Sequence, residues 1–198
     1  METGNRISKR IIILTASGIF AKKGYRASTL EDVANELGVT KPALYYYVKN
    51  KHQILWSIFE EILDIYLRSA MAILEKDLDP KEKLHRLIES HAHAVLDNRY
   101  LTTIFVHERA ELTDEELKLL KTKIRAYELI FVEVYREGIK RGVFIDLNPF
   151  PVIKGIFGMI NGLYQWYDER GAISKKEIID IYTQILEEGY VNLVKVPR

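Results

Sequence analysis

The chain has 198 residues, 47% hydrophobic and 29% charged, the balance of a soluble folded protein, which excludes a disordered one. It has no cysteine, which excludes a disulfide framework, a thiolate nucleophile and a cysteine zinc site. Net charge is +1, yet residues 1–55 carry nine Lys and Arg against four Asp and Glu, and the remainder carries 20 against 24. A basic end on an acidic body is the footprint expected of a nucleic-acid-binding module, although a solvated basic face has the same composition. No apolar run approaches the roughly 18–20 residues that span a bilayer. The polar start does not lead into a secretory signal, so a cytoplasmic location with no membrane partner is expected.

Apolar residues recur at intervals of three and four, and no segment sustains a strand-like alternation. The pattern predicts an all-α fold of about nine helices, at 5–23, 29–37, 41–48, 51–76, 80–96, 98–111, 114–141, 149–168 and 175–192. Asp79-Pro80 and Asn148-Pro149 read as N-cap followed by first helical position. Thr113 with Glu116 and Ser174 with Glu177 fit the capping box. The first three helices are short and the rest long. Residues 1–50 are therefore read as a small N-terminal domain and 51–198 as a larger helical one, with the helix from Lys51 bridging them.

Residues 29–48 carry the strongest local signal. Val33, Ala34 and Leu37 form the apolar face of a short helix, Gly38 stands where a helix ends, and Val39 plugs the corner. Thr40 caps a second helix whose Leu44 and Val48 face inward. This is a helix-turn-helix, and the second helix is the kind that enters the major groove. Tyr45, Tyr46 and Tyr47 point about 100° apart, so at least one is exposed and free to meet a phosphate or a thymine methyl. A plain helical corner with buried tyrosines is the alternative.

Residues 6–55 resemble the N-terminal domain of the TetR family of transcriptional repressors. The matching stretches are Arg10 to Tyr25, Ser28-Thr29, and Leu37-Gly-Val-Thr-Lys-Pro-Ala-Leu-Tyr-Tyr-Tyr-Val-Lys-Asn-Lys-His-Gln-Ile-Leu55. The resemblance implies a three-helix DNA-binding domain. It places Thr29 at a helix cap beside a phosphate and Thr40, Lys41, Pro42 and Ala43 at the groove. It makes Tyr45 and Lys51 phosphate contacts and puts Tyr46 and Tyr47 at groove walls and bases. Glu31 departs from the basic residue many members carry, which leaves base preference there open.

The same resemblance implies double-stranded DNA as partner and a homodimer formed by the last two helices. Ile178, Ile181, Tyr182, Ile185 and Leu186 are the stripe expected at that interface. Gly155, Gly158 and Gly162 line one helix face, either for close approach of a partner or to make room for a ligand. Residues 104–117 and 158–171 resemble the FadR-like and steroid-degradation repressors within the family. That implies a fatty acyl-CoA as effector rather than a bound cofactor, and control of fatty-acid degradation genes. The acyl chain is expected among Phe105, Tyr127, Phe131, Phe157 and Tyr164, with Asn161 as a polar anchor and Arg109, Trp166 and Arg170 meeting the coenzyme A portion. Arg109 has pairing with Glu108 or Glu111 as its alternative. The helix 51–76, touching both domains, is expected to carry the motion that respaces the reading heads.

A drug-sensing TetR-type repressor is the rival reading within this class. Catalysis is not expected. His91 and His93 are two apart, point about 200° apart on a helix and cannot share an ion, and no Gly-rich phosphate loop, nucleophile elbow or His-Glu-x-x-His motif occurs. A third reading is a helical interaction protein whose helix-turn-helix never meets DNA.

Overall fold

A computed structural model describes residues 7–190. Those residues form helices and connections, with no strand among them. The predicted helix ends at residues 5–6 and 191–192 lie outside the described residues. Packing divides the chain into two compact units, residues up to 63 with 98–120, and residues 64–97 with 121 onward.

In the first unit α1 spans Lys9–Lys23. It starts four residues later than the periodicity predicts because the Ser8 hydroxyl accepts the Ile11 N–H at 3.2 Å and so caps the helix. It ends at Gly24, whose φ of +86° suits only a residue without Cβ. The second helix, α2 (Leu30–Glu36), opens with a capping box between Thr29 and Asp32, and α3 is Lys41–Tyr45. Between them Gly38 takes φ +67° and the Val39 N–H donates to the Ala34 carbonyl at 2.9 Å. Residues 46–48, predicted helical, form a turn after α3, with the Tyr47 and Val48 N–H groups both donating to Leu44. Ile12, Phe20, Val33, Leu44, Val48 and Ile58 are among the side chains that fill this unit's core.

The long helix α4 (Lys51–Leu74) and α7 (Asp114–Lys140) each contribute residues to both units. Between them lie α5 (Pro80–Asp97) and α6 (Arg99–His107). The predicted helix 98–111 breaks at Glu108 into α6 and a 3-10 turn, Arg109–Glu111. A capping box of Thr113 and Glu116 then starts α7. In the second unit, α8 (Pro149–Asn161) is followed by α9 (Leu163–Trp166) and α10 (Lys175–Tyr190). The predicted helix 149–168 stops at Gly162, where glycine weakens the helix and the Gln165 N–H closes a tight turn on the Gly162 carbonyl at 3.1 Å.

Candidate functional site

Around α3 the exposed and buried residues separate cleanly. Leu44 and Val48 are buried, while Thr40, Lys41, Pro42, Ala43 and Tyr45 are exposed. Tyr46 is 85% exposed and its ring meets that of Tyr47 edge-on at 5.2 Å. The Thr40 hydroxyl accepts the Ala43 N–H at 3.4 Å, which fixes the start of α3. Thr29 is exposed, and its hydroxyl accepts the Asp32 N–H at 3.1 Å and donates to the Asp32 carboxylate at 2.9 Å. The Lys23 ammonium on that carboxylate, with the Thr29 backbone N–H and hydroxyl, holds Asp32 down at about 2. This cradle of small caps leaves one face of α3 open, carrying a cation, a ring surface and hydroxyls: the groups that meet phosphates and base edges.

The resemblance implies a phosphate contact at Lys51, whose ammonium here meets the corner between α1 and α2. Nζ donates to the carbonyls of Tyr25 at 2.8 Å, Ser28 at 2.8 Å and Arg26 at 3.3 Å, and lies 4.3 Å from the Tyr25 ring centre. From the α6–α7 connection, Glu108 accepts the Tyr25 N–H at 3.3 Å and Glu111 pairs with Arg26 at 2.7 Å, and from the first turn of α7 Glu116 accepts from His52 Nε2 at 2.9 Å. Burial first, then the carboxylates of Glu111, Glu108 and Glu116, raise the Tyr25 phenol above its ordinary range.

The second unit holds an aromatic group around His91. The Tyr66, Tyr127 and Phe157 rings lie 4.7, 5.7 and 4.7 Å from the imidazole centre, and Phe131 lies 4.8 Å from Phe157. The Asn161 side-chain oxygen can only accept, so His91 Nε2–H donates to it at 3.1 Å, and Nδ1 then accepts the Tyr127 hydroxyl at 3.1 Å. Burial disfavours the imidazolium and outweighs the Asn161 bond, holding His91 down at about 4. The imidazole is thus a neutral hub with both nitrogens engaged.

Comparison with known proteins fits both parts. Residues 12–58 match the family model described as bacterial regulatory proteins, tetR family, and residues 77–190 match that described as tetracyclin repressor-like, C-terminal domain. The chain belongs to the TetR family. It is a DNA-binding transcriptional repressor of that family, not an enzyme. The HTH-type transcriptional repressor KstR2 of Mycolicibacterium smegmatis is 25% identical over 180 residues, 90% of this chain and 88% of its own. A TetR/AcrR-family regulator from Thermobifida fusca is 32% identical at a TM-score of 0.74, with 91% and 97% of the two chains covered. AibR, solved with isovaleryl coenzyme A and operator DNA, shares the fold at a TM-score of 0.80 and 22% identity, with 89% and 96% covered.

In this TetR-family repressor the ligand residues expected from sequence do not all come together. Tyr127, Phe131, Phe157 and Asn161 meet around His91. Tyr164 is buried in the same unit, its hydroxyl accepting from the Gln165 amide at 3.0 Å. Phe105 and Arg109 belong to the first unit, where the Arg109 guanidinium lies 4.7 Å from the Phe105 ring centre and its Nε–H donates to the Phe105 carbonyl at 2.9 Å. Trp166 is 52% exposed beside Tyr182, and Arg170 is exposed with its guanidinium on Asp168 at 2.9 and 3.1 Å. His91 and Tyr66 were missed as members of the group. The signal for His91 was its place in the stripe Leu84, Leu87, Ile88, His91, Val95, where a polar residue sits at a core position.

Proposed function

We propose that this TetR-family repressor binds a palindromic operator as a homodimer in the cytoplasm and is released by a fatty acyl-CoA, controlling fatty-acid degradation genes. Residues 1–50 read DNA and 51–198 hold the effector and the partner subunit. The observation that carries the DNA reading is the open face of α3, with Lys41, Pro42, Ala43, Tyr45 and Tyr46 exposed around a Thr40-capped start. Thr29 and Tyr47 flank it. Lys51, at the start of α4, belongs to the same proposed contact set.

The dimer is supported by exposed small and apolar residues on α8 and on α10. Gly155 and Gly158 have nothing within 4 Å of where a Cβ would stand, Met159 is exposed beside them, and Ile181 and Ile185 are exposed on α10. Ile178 and Leu186, expected in the same stripe, are buried in the subunit's own core. The acyl-CoA reading is supported by the aromatic group around His91 and by the coenzyme A thioester that AibR binds. Release follows from linkage: the effector must bind more tightly to a dimer whose reading heads do not fit the operator, and coupling equals that difference. α4, with residues in both units, is the element proposed to carry it.

Fluorescence anisotropy tests this directly, on a labelled duplex from the region upstream of the protein's own gene. Long-chain acyl-CoA is expected to release the duplex and free fatty acid to leave it bound. Tight binding indifferent to both would retain the repressor and remove the acyl-CoA effector.

A further inference from the structure

Three polar side chains cross the aromatic group of the second unit: Tyr127 on α7, His91 on α5 and Asn161 at the end of α8. Their hydrogen bonds have one workable direction. The Tyr127 phenol is buried, and its proton has one acceptor among the described residues, His91 Nδ1 at 3.1 Å. With the chain of bonds reversed, that proton would be buried without a partner, at the cost of a lost hydrogen bond. A neutral imidazole carries one N–H. With Nδ1 accepting, the proton stands on Nε2 and donates to Asn161 Oδ1 at 3.1 Å. The amide oxygen is thereby turned toward His91 and the two Nδ2 N–H groups away from it. Those donors meet no partner among the described residues, and Asn161 is half-buried, so they stay open to solvent.

Asn161 lies one turn after Phe157 on α8, and the Phe157 ring centre is 4.7, 5.6 and 4.8 Å from those of His91, Tyr127 and Phe131. An unpaired pair of donors thus borders a wall of rings, which suits an acceptor oxygen joined to an apolar chain. The group carries no charge: the imidazole is neutral, and its neighbours are phenols, phenyl rings and an amide. A carboxylate brought here would lose water without gaining a cation, whereas a neutral carbonyl loses far less. We infer that Asn161 selects the effector by donating its amide N–H to the carbonyl oxygen of a thioester, with His91 and Tyr127 as positioning residues that keep the donor turned outward. This rests on the acyl-CoA reading above and adds to it the contact that tells a thioester from the free acid.

Calorimetric titration of the full chain with two probes isolates this contact. One is dodecanoyl-CoA, and the other is S-dodecyl-CoA, in which a methylene replaces the carbonyl. The quantity read is the ratio of thioester to thioether affinity. A variant that merely loosens the fold weakens both probes together and leaves the ratio unchanged. Asn161→Leu is expected to lower the ratio about fivefold, the scale of one neutral hydrogen bond. Asn161→Asp keeps an oxygen toward His91 but puts an acceptor where the donors stood, and is expected to lower the ratio further. Tyr127→Phe keeps the ring, removes the proton that fixes the direction and lets the amide turn, and is expected to lower the ratio about twofold. An unchanged ratio in Asn161→Leu would overturn the inference while leaving the acyl-CoA reading in place. An unchanged ratio in Tyr127→Phe would overturn the positioning role. Binding of neither probe by the wild type would instead remove the acyl-CoA reading itself, and this inference with it.

Discussion

His91 shows what a single buried side chain does to the whole domain's response to acid. Folded, it stays neutral down to about 4, whereas in the unfolded chain it takes a proton near 6.5. Between those values only the unfolded state binds the proton, so stability falls as pH drops from about 6.5 to about 4. The loss approaches about 3 kcal/mol over that window if the site stays closed. Urea unfolding of the wild type at steps between pH 7 and 4 is expected to show the midpoint falling through this range. His91→Gln, which retains an amide to meet Asn161 and Tyr127, is expected to unfold earlier at pH 7 but with that dependence removed. Asp32 cannot account for the same window, because its carboxylate gives up stability only below its ordinary value, toward about 2. At this scale the sequence was informative about side chains whose neighbours are close along the chain. The caps Thr40, Thr113, Asn148 and Ser174 were readable, as was the exposure of at least one of Tyr45, Tyr46 and Tyr47. Lys51 was not: its partners lie 23–26 residues away, and no local pattern reports three converging carbonyls.

The helices were legible because period and caps agree. The misses occur where one rule overrides another. A periodic stretch runs through Gly162, yet the helix stops there. Glu108 interrupts another, and its carboxylate is directed to Tyr25. The end of α7 shows a glycine whose reason is purely spatial. Gly138 lies inside the helix, where alanine normally gains up to about 1 kcal/mol. A Cβ there would stand 2.1 Å from the Phe144 ring, which is stacked on Tyr135 at 5.1 Å and has little room to give. The clash decides the sign, and Gly138→Ala is expected to cost about 2–3 kcal/mol, read as a lowered urea midpoint. A gain would mean that the Phe144 ring swings clear. Gly142, at φ +70°, closes the same turn, with the Val143 N–H on the Gly138 carbonyl at 2.8 Å.

For the whole molecule, sequence and structure speak to different questions. Charge asymmetry and the helix-turn-helix pointed to a reading head at the N-terminus, and the family models confirm a TetR-type head and body. Which body residues face outward could not be read from periodicity. The stripe on α10 divides, since Ile178 and Leu186 lie in the core while Ile181 and Ile185 face solvent. Ile185, 51% exposed, is therefore a test of the dimer that spares the fold. Ile185→Glu is expected to halve the mass measured by light scattering at low concentration while the dissociated subunit keeps its helical circular dichroism. An unchanged mass would move the interface elsewhere.

The first compact unit is not contiguous: it takes residues up to 63, then 98–120. Synthesis meets this order literally. When residue 63 leaves the ribosome, the corner at Tyr25 and Arg26 still lacks Glu108 and Glu111, and His52 lacks Glu116. At about 5–20 residues per second, the ribosome takes several seconds more to deliver them. The element proposed to read DNA is therefore among the first translated, yet its unit is completed only by residues 98–120. A nascent chain finishes its first unit only after residues 64–97 of the second have been made.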